Sequence, residues 1–469
     1  MKRTIALALL AATVLTIPAF AQKDTAIHIH NFSLQECVDY GMKHNEQVKE
    51  AMLDYKIQEQ VNRGITAAAF PQVNGVIGST YFPNVTVQSF PNFIGAAVYG
   101  VLEAEGVKGA NGQPIVAPSD FGLINAAFGT KWSANAGVSL SQLLFDGQVF
   151  VGLQARQTSL DFRNKAVDVT AENIKVNIYK IYYQLVVSKT QIEQFDANIA
   201  RLEKLLHDTK VLYENGFAEK LDIDKVTVQL TNLQTEKASA LNQINNGYLG
   251  LKVLIGMPVQ DTLILTDNIS ESEIKRGLLN DDIYQYGDRN DFQYLMLARK
   301  LNQYNIKRYK LTKLPTVALA GNYSKMAQRN EFSFFGKGEW FSSSYIGLNI
   351  NIPIFSGFAK DASIRQAQLE LQKTDMQLEQ LKLNIDNEVQ AATNNFRNAI
   401  SILDFQKQNM NLARSVYDQS KKKYEIGTGS NLEITNAQAD LRVAESNYTT
   451  AMYNAIVAKI DYLKAIGKL

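Results

Sequence analysis

The sequence is poor in the features that would commit it to catalysis, to a disulfide framework or to nucleic acid. Cys37 is the only cysteine, so no intrachain disulfide can form, and a lone cysteine here reads as a small apolar residue on a helix face. The four histidines, His28, His30, His44 and His207, offer one His-x-His pair and no recurring ligand spacing. A metal is therefore not expected. There is no phosphate-binding Gly-rich loop with a lysine and no Gly-x-Ser-x-Gly elbow, so neither a catalytic residue, a cofactor nor an enzyme activity is expected. Basic and acidic residues nearly balance, 48 against 46, which supplies no basic excess for nucleic acid. Past residue 21 no run of about 18 apolar residues exists, so no transmembrane helix follows. Transmembrane strands leave a fainter trace and are not excluded.

What the chain does contain begins with a secretory signature. Lys2 and Arg3 precede an apolar run from Ile5 to Ile17, and Ala19-Phe20-Ala21 gives the small-residue spacing of a cleavage site, so residues 1–21 read as a signal peptide. The remainder is a duplication. Shifting Tyr424–Gly467 back by 211 residues aligns it without a gap on Tyr213–Gly256, pairing Tyr213, Glu214, Gly216, Leu221, Ile223, Leu230, Ala240, Ile255 and Gly256 with identical residues. Each copy is preceded by at least 60 residues without Gly or Pro, and before that by a pair of short alternating segments. Such repeats set the fold class.

In chain order, residues 33–67 carry helical spacing, with Ser33 and Glu36 placed for a capping box. Pro71 ends this helix. Gln72–Tyr81 suits a strand, and 132–144 alternates sharply, with Trp132, Ala134, Ala136, Val138, Leu140 and Leu144 on one face and Ser or Asn on most of the other. About 50 residues rich in Gly, Asn and Pro lie between and read as loop. From Ile174 to Leu206 the apolar residues advance by about 3.56 residues per step, between an ideal helix and a strict heptad. The whole sequence thus parses as a signal (1–21), a first repeat (22–256) with a helix, a β-hairpin (72–144) and a long helical hairpin (148–255), a polar link (257–280), and a second repeat (281–469). The second repeat has its own helix, β-hairpin (316–355) and helical hairpin (358–466). None of the nine prolines falls inside a proposed helix.

Strands of about 11 residues, tilted by some 40°, cover about 25 Å, the height of an outer-membrane barrel. Trp132 and Trp340, the only tryptophans, sit at the loop end of the hairpins, where an aromatic belt lies. Two hairpins give four strands, and in lipid no edge can stay unpaired. Two chains would close 8 strands with a filled interior, whereas three close 12 and leave a lumen. Cyclic closure by identical interfaces favours a homotrimer.

The whole mature chain resembles the TolC-like outer-membrane efflux proteins. The resemblance rests on Leu34-Gln35-Glu36-Cys37-Val38-Asp39-Tyr40 before His44-Asn45, on the Phe-x-Gly after the second strand of each half (Phe145-Asp146-Gly147 and Phe355-Ser356-Gly357), and on the twice-used Tyr-x-x-Gly turn. Asn45-Glu46 and Asn290-Asp291 lack the proline common at those helix starts. The resemblance implies a mixed α/β membrane protein, with a trimeric 12-stranded transmembrane β-barrel in the outer membrane and a helical barrel across the periplasm. It implies a passive conduit from periplasm to exterior for small toxic compounds or drugs, in contact with outer-membrane lipid and completed by a periplasmic adaptor and an inner-membrane pump. Two alternatives stand beside it: a channel for type I-like protein secretion, or a soluble periplasmic coiled-coil adaptor or scaffold.

By motif position, the resemblance also assigns residues. Asp222 matches a carboxylate that bonds a tyrosine matching Tyr424, and Glu433 matches one of two acidic residues ringing the periplasmic opening. Asn436 stands where the second acidic residue would be, and Gly429 where the family has an arginine. Asn215, Gly216 and Phe217, with Ile426, Gly427 and Thr428, occupy the turns that face adaptor hairpins. Lys421-Lys422-Lys423 reads as a cationic helix end favoured by the dipole.

Overall fold

The computed structural model describes residues 28–276, 284–336 and 338–469. The expected signal, the last residues of the polar link and the first few of the second repeat lie outside them. In chain order the elements are β1 (Ile29–Phe32), α1 (Leu34–His44), α2 (Glu46–Ala67), β2 (Gln72–Tyr81), β3 (Val87–Pro91), α3 (Phe93–Ala104), β4 (Leu123–Ala127), β5 (Trp132–Phe145), α4 (Gly147–Glu214) and α5 (Lys220–Ile255). They continue with β6 (Thr262–Leu265), α6 (Glu271–Lys275), α7 (Asn290–Leu311), β7 (Thr316–Arg329), β8 (Phe341–Asn351), α8 (Ala359–Glu425) and α9 (Asn431–Ala465). The chain divides into two compact units, one of Met1–Gln58, Ser159–Arg299 and Lys373–Leu469, the other of Glu59–Thr158 and Lys300–Gln372.

The first unit is built on helices. α4 and α8 run for 68 and 67 residues, each about 100 Å at 1.5 Å per residue, because nothing in them interrupts the backbone ladder. Their buried positions, such as Ile174, Ile178, Leu185 and Leu202 on α4 and Leu378, Ile385, Phe396 and Leu403 on α8, keep the spacing read from the sequence. The helical reading of 33–67 needs one correction. Asn45 splits it into α1 and α2: its N–H closes α1 on Gly41 O, its Oδ1 accepts Val48 N at 3.0 Å, and its Nδ2 donates to Leu254 O at 2.6 Å. One side chain thus caps α2 and the end of α5. The Ser33–Glu36 capping box at the start of α1 is formed.

The polar link is more ordered than its composition suggests. β6 pairs in parallel with β1, and α6 is tied to α8 and α9 by Lys275–Asp404 at 2.5 Å, Lys407–Glu271 at 2.8 Å and Tyr448–Glu271 at 2.5 Å. Cys37 is fully buried beside Ile178 and Ile255. Burial, with Asp267 and Glu36 nearby, pushes its thiol up to about 12, so it is held protonated and inert.

The second unit holds an antiparallel sheet in the order β2-β5-β7-β8. Register sorts its side chains into two unlike faces. Directly opposed residues share a face, so Val73, Ile77 and Tyr81, with Trp132, Ala134, Ala136, Val138 and Leu140, join Leu319, Tyr323, Ile346, Leu348 and Ile350 on one side, with Ser79, Lys325, Arg329, Ser342 and Ser344 on the same side toward the loop end. Asn74, Ser133, Asn135, Ser139, Ser141, Asn322, Ser324, Ser343 and Asn349 take the other, together with Val76, Met326, Phe341 and Tyr345. Within one chain the apolar face is bare, Ile77 being 90% and Ile346 84% exposed. Gln142 interrupts that face because its amide is spent on the Ala69 and Leu143 carbonyls. A bulge after Leu143 then returns Phe145, opposite Val317, to the apolar side. β2 and β8 each leave one edge unpaired.

Trp132 and Trp340 both pack at the rim of this sheet, in a cluster with Ala134, Ala327 and Phe334. Trp132 also meets Tyr81 at 4.7 Å and Phe332 at 4.9 Å. The stretch read as a 50-residue loop is not structureless. It contains the β3–β4 pair and α3, whose start is capped by Asn92 Oδ1 on Gly95 N. The signal was present in the uncharged run Phe93–Leu102, but Gly95 and Gly100 masked it.

Candidate gate at the helical turns

Both long hairpins reverse in the same way. α4 ends with Phe217 N bonded to Leu212 O at 2.8 Å and Gly216 N to Tyr213 O at 3.0 Å. α8 ends with Thr428 N on Lys423 O at 2.9 Å and Gly427 N on Tyr424 O at 3.0 Å. These are paired Schellman bonds, and each needs a residue in the left-handed region after the helix. Gly216 (φ 80°) and Gly427 (φ 77°) supply it. The turns push Phe217 and Ile426 into solvent, 81% and 74% exposed, while Asn215 stays local by bonding Val211 O and Thr428 by bonding Lys423 O.

Around these turns the assigned gate residues find partners other than each other. The Tyr424 hydroxyl lies 3.2 Å from Thr209 Oγ1. Thr209 spends its one proton on Leu205 O at 2.7 Å, so Tyr424 is the donor in that bond. Asp222 turns back to the start of its own helix, accepting Glu219 N at 3.2 Å. Glu433 holds the equivalent place in α9: its N–H donates to the cap Ser430 Oγ at 3.1 Å, and its carboxylate accepts Lys423 Nζ at 3.0 Å. Asn436 is exposed one turn further on. Within one chain Tyr424 is thus bonded to Thr209, and Asp222 to the start of its own helix.

Gly429, where the resemblance places an arginine, is closed to any side chain by the tightness of this turn. A Cβ there would stand 2.9 Å from Tyr424 N and 3.1 Å from Lys423 C, and the Gly429 N–H is itself bonded to Lys423 O. The cation at this turn is Lys423. Thr209 and Lys423 were the residues that motif reading passed over. Thr209 precedes Tyr213 by one helical turn and carries no motif, and Lys423 reads in the sequence as part of a cationic helix end.

Beneath the turns, α4, α5, α8 and α9 share an apolar cluster of Leu202, Leu205, Val226, Leu233, Tyr417, Ile434, Ala437 and Leu441. Each hairpin therefore covers the other near its tip.

Comparison with known proteins assigns this arrangement. Residues 287–468 match the family model of the outer membrane efflux protein. Outer membrane protein TolC of Vibrio cholerae is 21% identical over 338 residues, covering 71% of this chain and 77% of that protein. The chain resembles the TolC-like outer-membrane efflux proteins. The proteases secretion protein PrtF of Dickeya chrysanthemi is 19% identical over 343 residues, covering 71% of this chain and 72% of its own. Among solved structures, the Campylobacter jejuni CmeC outer membrane channel superposes with a TM-score of 0.70 at 15% identity, over 96% of this chain and 90% of that one.

The chain is accordingly an outer-membrane channel of the efflux or secretion kind that extends into the periplasm, and the proteins it resembles are channel and transport proteins. No described helix is long and apolar enough to cross a membrane, a statement that does not touch strands. Among the described residues no group of three His, Cys, Asp or Glu is placed to hold a metal.

Proposed function

We propose that three copies close a 12-stranded barrel and form a passive conduit from periplasm to exterior for small toxic compounds, opened at the helical turns. The observation that carries this is the sheet: four strands with two open edges, one mainly apolar face that turns charged only at Lys325 and Arg329 toward the loop end, and one mainly polar face. In lipid such edges must pair, and β2 of one copy against β8 of the next closes the ring. The bare apolar face then meets outer-membrane lipid with Trp132 and Trp340 at its rim, and Ser and Asn line the lumen. A soluble adaptor or scaffold has no use for such a face.

At the helical turns, Asn215, Gly216 and Phe217 with Ile426, Gly427 and Thr428 form the docking surface for a periplasmic adaptor, and an inner-membrane pump supplies the energy. Tyr424 with Thr209, Glu433 with Lys423, and Asp222 with Asn436 beside them set the gate. The similarity to PrtF supports a second reading in which the cargo is protein, and the same lumen serves either.

The deciding measurement is the native mass of the mature protein extracted from outer membranes, with detergent subtracted. Three chains per particle support the shared barrel; a monomer released without detergent removes it and leaves the adaptor or scaffold. Export of a small dye, set against export of an unfolded polypeptide, separates the two cargo readings.

A further inference from the structure

The mainly apolar face of the sheet carries one cation with no partner among the described residues. By register Lys325 stands on that face between Ala136 and Ser342, and Arg329 stands four residues nearer the loop end, opposite Trp132. Arg329 is engaged. Its Nη1 donates to Ser333 O, and its guanidinium lies 5.5 Å from the centre of the Phe334 ring. Phe334 is itself seated on Ala134 and Ala327, with Trp340 at 6.2 Å, so the residues after β7 fold back over this face, and Phe335 beside them is 96% exposed. Lys325 is exposed, and among the described residues its ammonium has no hydrogen bond, ion pair or ring contact. Ser342 opposite it and Ser344 opposite Tyr323 are likewise exposed and unbonded among those residues.

Depth decides what these groups can meet. At one end the strands continue into α2, α4, α7 and α8, so on the channel reading above the loop end faces outward. From Lys325 down β7 to Val317 are eight residues, about 26 Å of strand and about 20 Å of height at a tilt of some 40°. The apolar band of such a barrel is about 25 Å tall. Lys325 therefore lies at the outer boundary of the band, where its long stem carries the ammonium up to the headgroup level. A serine hydroxyl drawn out of water at that boundary needs a partner as well. The headgroup layer of the outer leaflet supplies both. A phosphate answers Lys325 with a charge-assisted bond, sugar hydroxyls answer Ser342 and Ser344, and the Tyr81–Trp132 pair at 4.7 Å suits the border between sugar and acyl chain. A bare phosphate headgroup would answer the cation and leave the hydroxyls unmet.

We propose that the outward end of this face is a binding site for a phosphorylated glycolipid of the outer leaflet, with Lys325 on the phosphate and Ser342 and Ser344 on the sugar. Arg329 holds the aromatic rim in place and adds positive field without a bond of its own to the lipid. The site rests on the barrel reading, since only a lipid-facing sheet meets such a headgroup.

The test uses the full-length mature protein in detergent and three probes: purified lipid A, lipid A stripped of its phosphates, and phosphatidic acid. Native mass spectrometry counts the bound lipid. The wild type is expected to hold lipid A about tenfold tighter than either other probe. Lys325→Gln should lose about tenfold for lipid A and nothing for the stripped lipid, whereas Lys325→Arg should keep the affinity. Ser342→Ala with Ser344→Ala should weaken lipid A about threefold and leave phosphatidic acid unchanged. Lys225→Gln, which removes an exposed cation of α5, should change nothing. Lipid A held no tighter than its stripped form, or weakened as much by Lys225→Gln as by Lys325→Gln, overturns the site; phosphatidic acid held as tightly as lipid A overturns the glycolipid. Trp132 and Trp340 are the only tryptophans, so quenching of their fluorescence in vesicles of phosphatidylcholine brominated on its acyl chains reports separately whether this face lies in lipid. Quenching without a preference for lipid A removes the site alone, and no quenching removes the barrel reading and the site with it.

Discussion

The return helices α5 and α9 end at places separated by the same 211 residues, and the two endings solve one problem with different chemistry. In each, a glycine with φ 73° stops the helix, Gly256 in the first and Gly467 in the second. In each, an equivalent carbonyl is capped from a distant segment. Leu254 O receives the neutral amide of Asn45 at 2.6 Å, whereas Ala465 O receives the guanidinium of Arg289 at 3.1 Å. Arg289 is in turn held by Asp291 at 2.7 Å and Glu388 at 2.9 Å. The first ending is therefore closed by packing against backbone, and the second by a charged network with exposed partners. Duplication preserved the geometry of the stop and left its chemistry free to diverge.

The largest expected effect tests the packing half of this contrast. A Cβ on Gly256 would stand 2.3 Å from His44 O and 2.6 Å from His44 C, backbone that cannot move aside, while one on Gly467 would meet Asp288 C and O at 3.1 Å. Both substitutions carry the cost of a left-handed alanine, about 1 kcal/mol. Gly256→Ala adds a backbone clash and is expected to cost about 4 kcal/mol or more; Gly467→Ala should stay near 1 to 2 kcal/mol. Thermal unfolding of the extracted protein reads both. Equal losses would mean that the two endings are packed alike.

Next in size are the caps. Arg289→Met strips a buried carbonyl of its donor and leaves Asp291 and Glu388 without their cation, for about 2 to 3 kcal/mol. Asn45→Ala removes a carbonyl partner and the cap of α2, for about 1 to 2 kcal/mol. Because charge makes only the second cap, raising salt should narrow the Arg289→Met deficit and leave that of Asn45→Ala unchanged. Denaturation at low and high salt makes the comparison.

How much of this was legible follows from which signals are local. The long helices were, since spacing near 3.56 residues per apolar step needs no partner to be recognised. The two faces of the sheet were also visible, because alternation in 132–144 survives even the Gln142 interruption. Asn45 was visible only as a missing proline, since its role depends on a carbonyl 209 residues away. α3 was lost to its own glycines, and β6 to its brevity. At the gate, motif position located the turns, Tyr424 and Glu433, but not their partners, because Thr209 and Lys423 meet them only once four helices pack. Gly429 shows the limit from the other side: the residue departs from the family, and only the backbone spacing explains that a side chain has no room there.

The smallest effect bears on the tips, where the copies look most alike in sequence. Tyr213 and Tyr424 are equivalent by the 211-residue shift, yet Tyr213 is 45% exposed while Tyr424 donates to the buried Thr209. One neutral hydrogen bond is worth about 1 kcal/mol per chain. Tyr424→Phe is therefore expected to raise the open fraction of the reconstituted channel about fivefold for each subunit that must release it, and Tyr213→Phe to leave it where it was. Glu433→Gln removes an exposed pair with Lys423, worth at most about 1 kcal/mol, and its effect should vanish at high salt where that of Tyr424→Phe persists. Single-channel recording on the three variants orders these contributions. If Tyr213→Phe opens the channel as readily as Tyr424→Phe, the gate belongs to both turns equally, and the second hairpin loses its claim to be the one that moves.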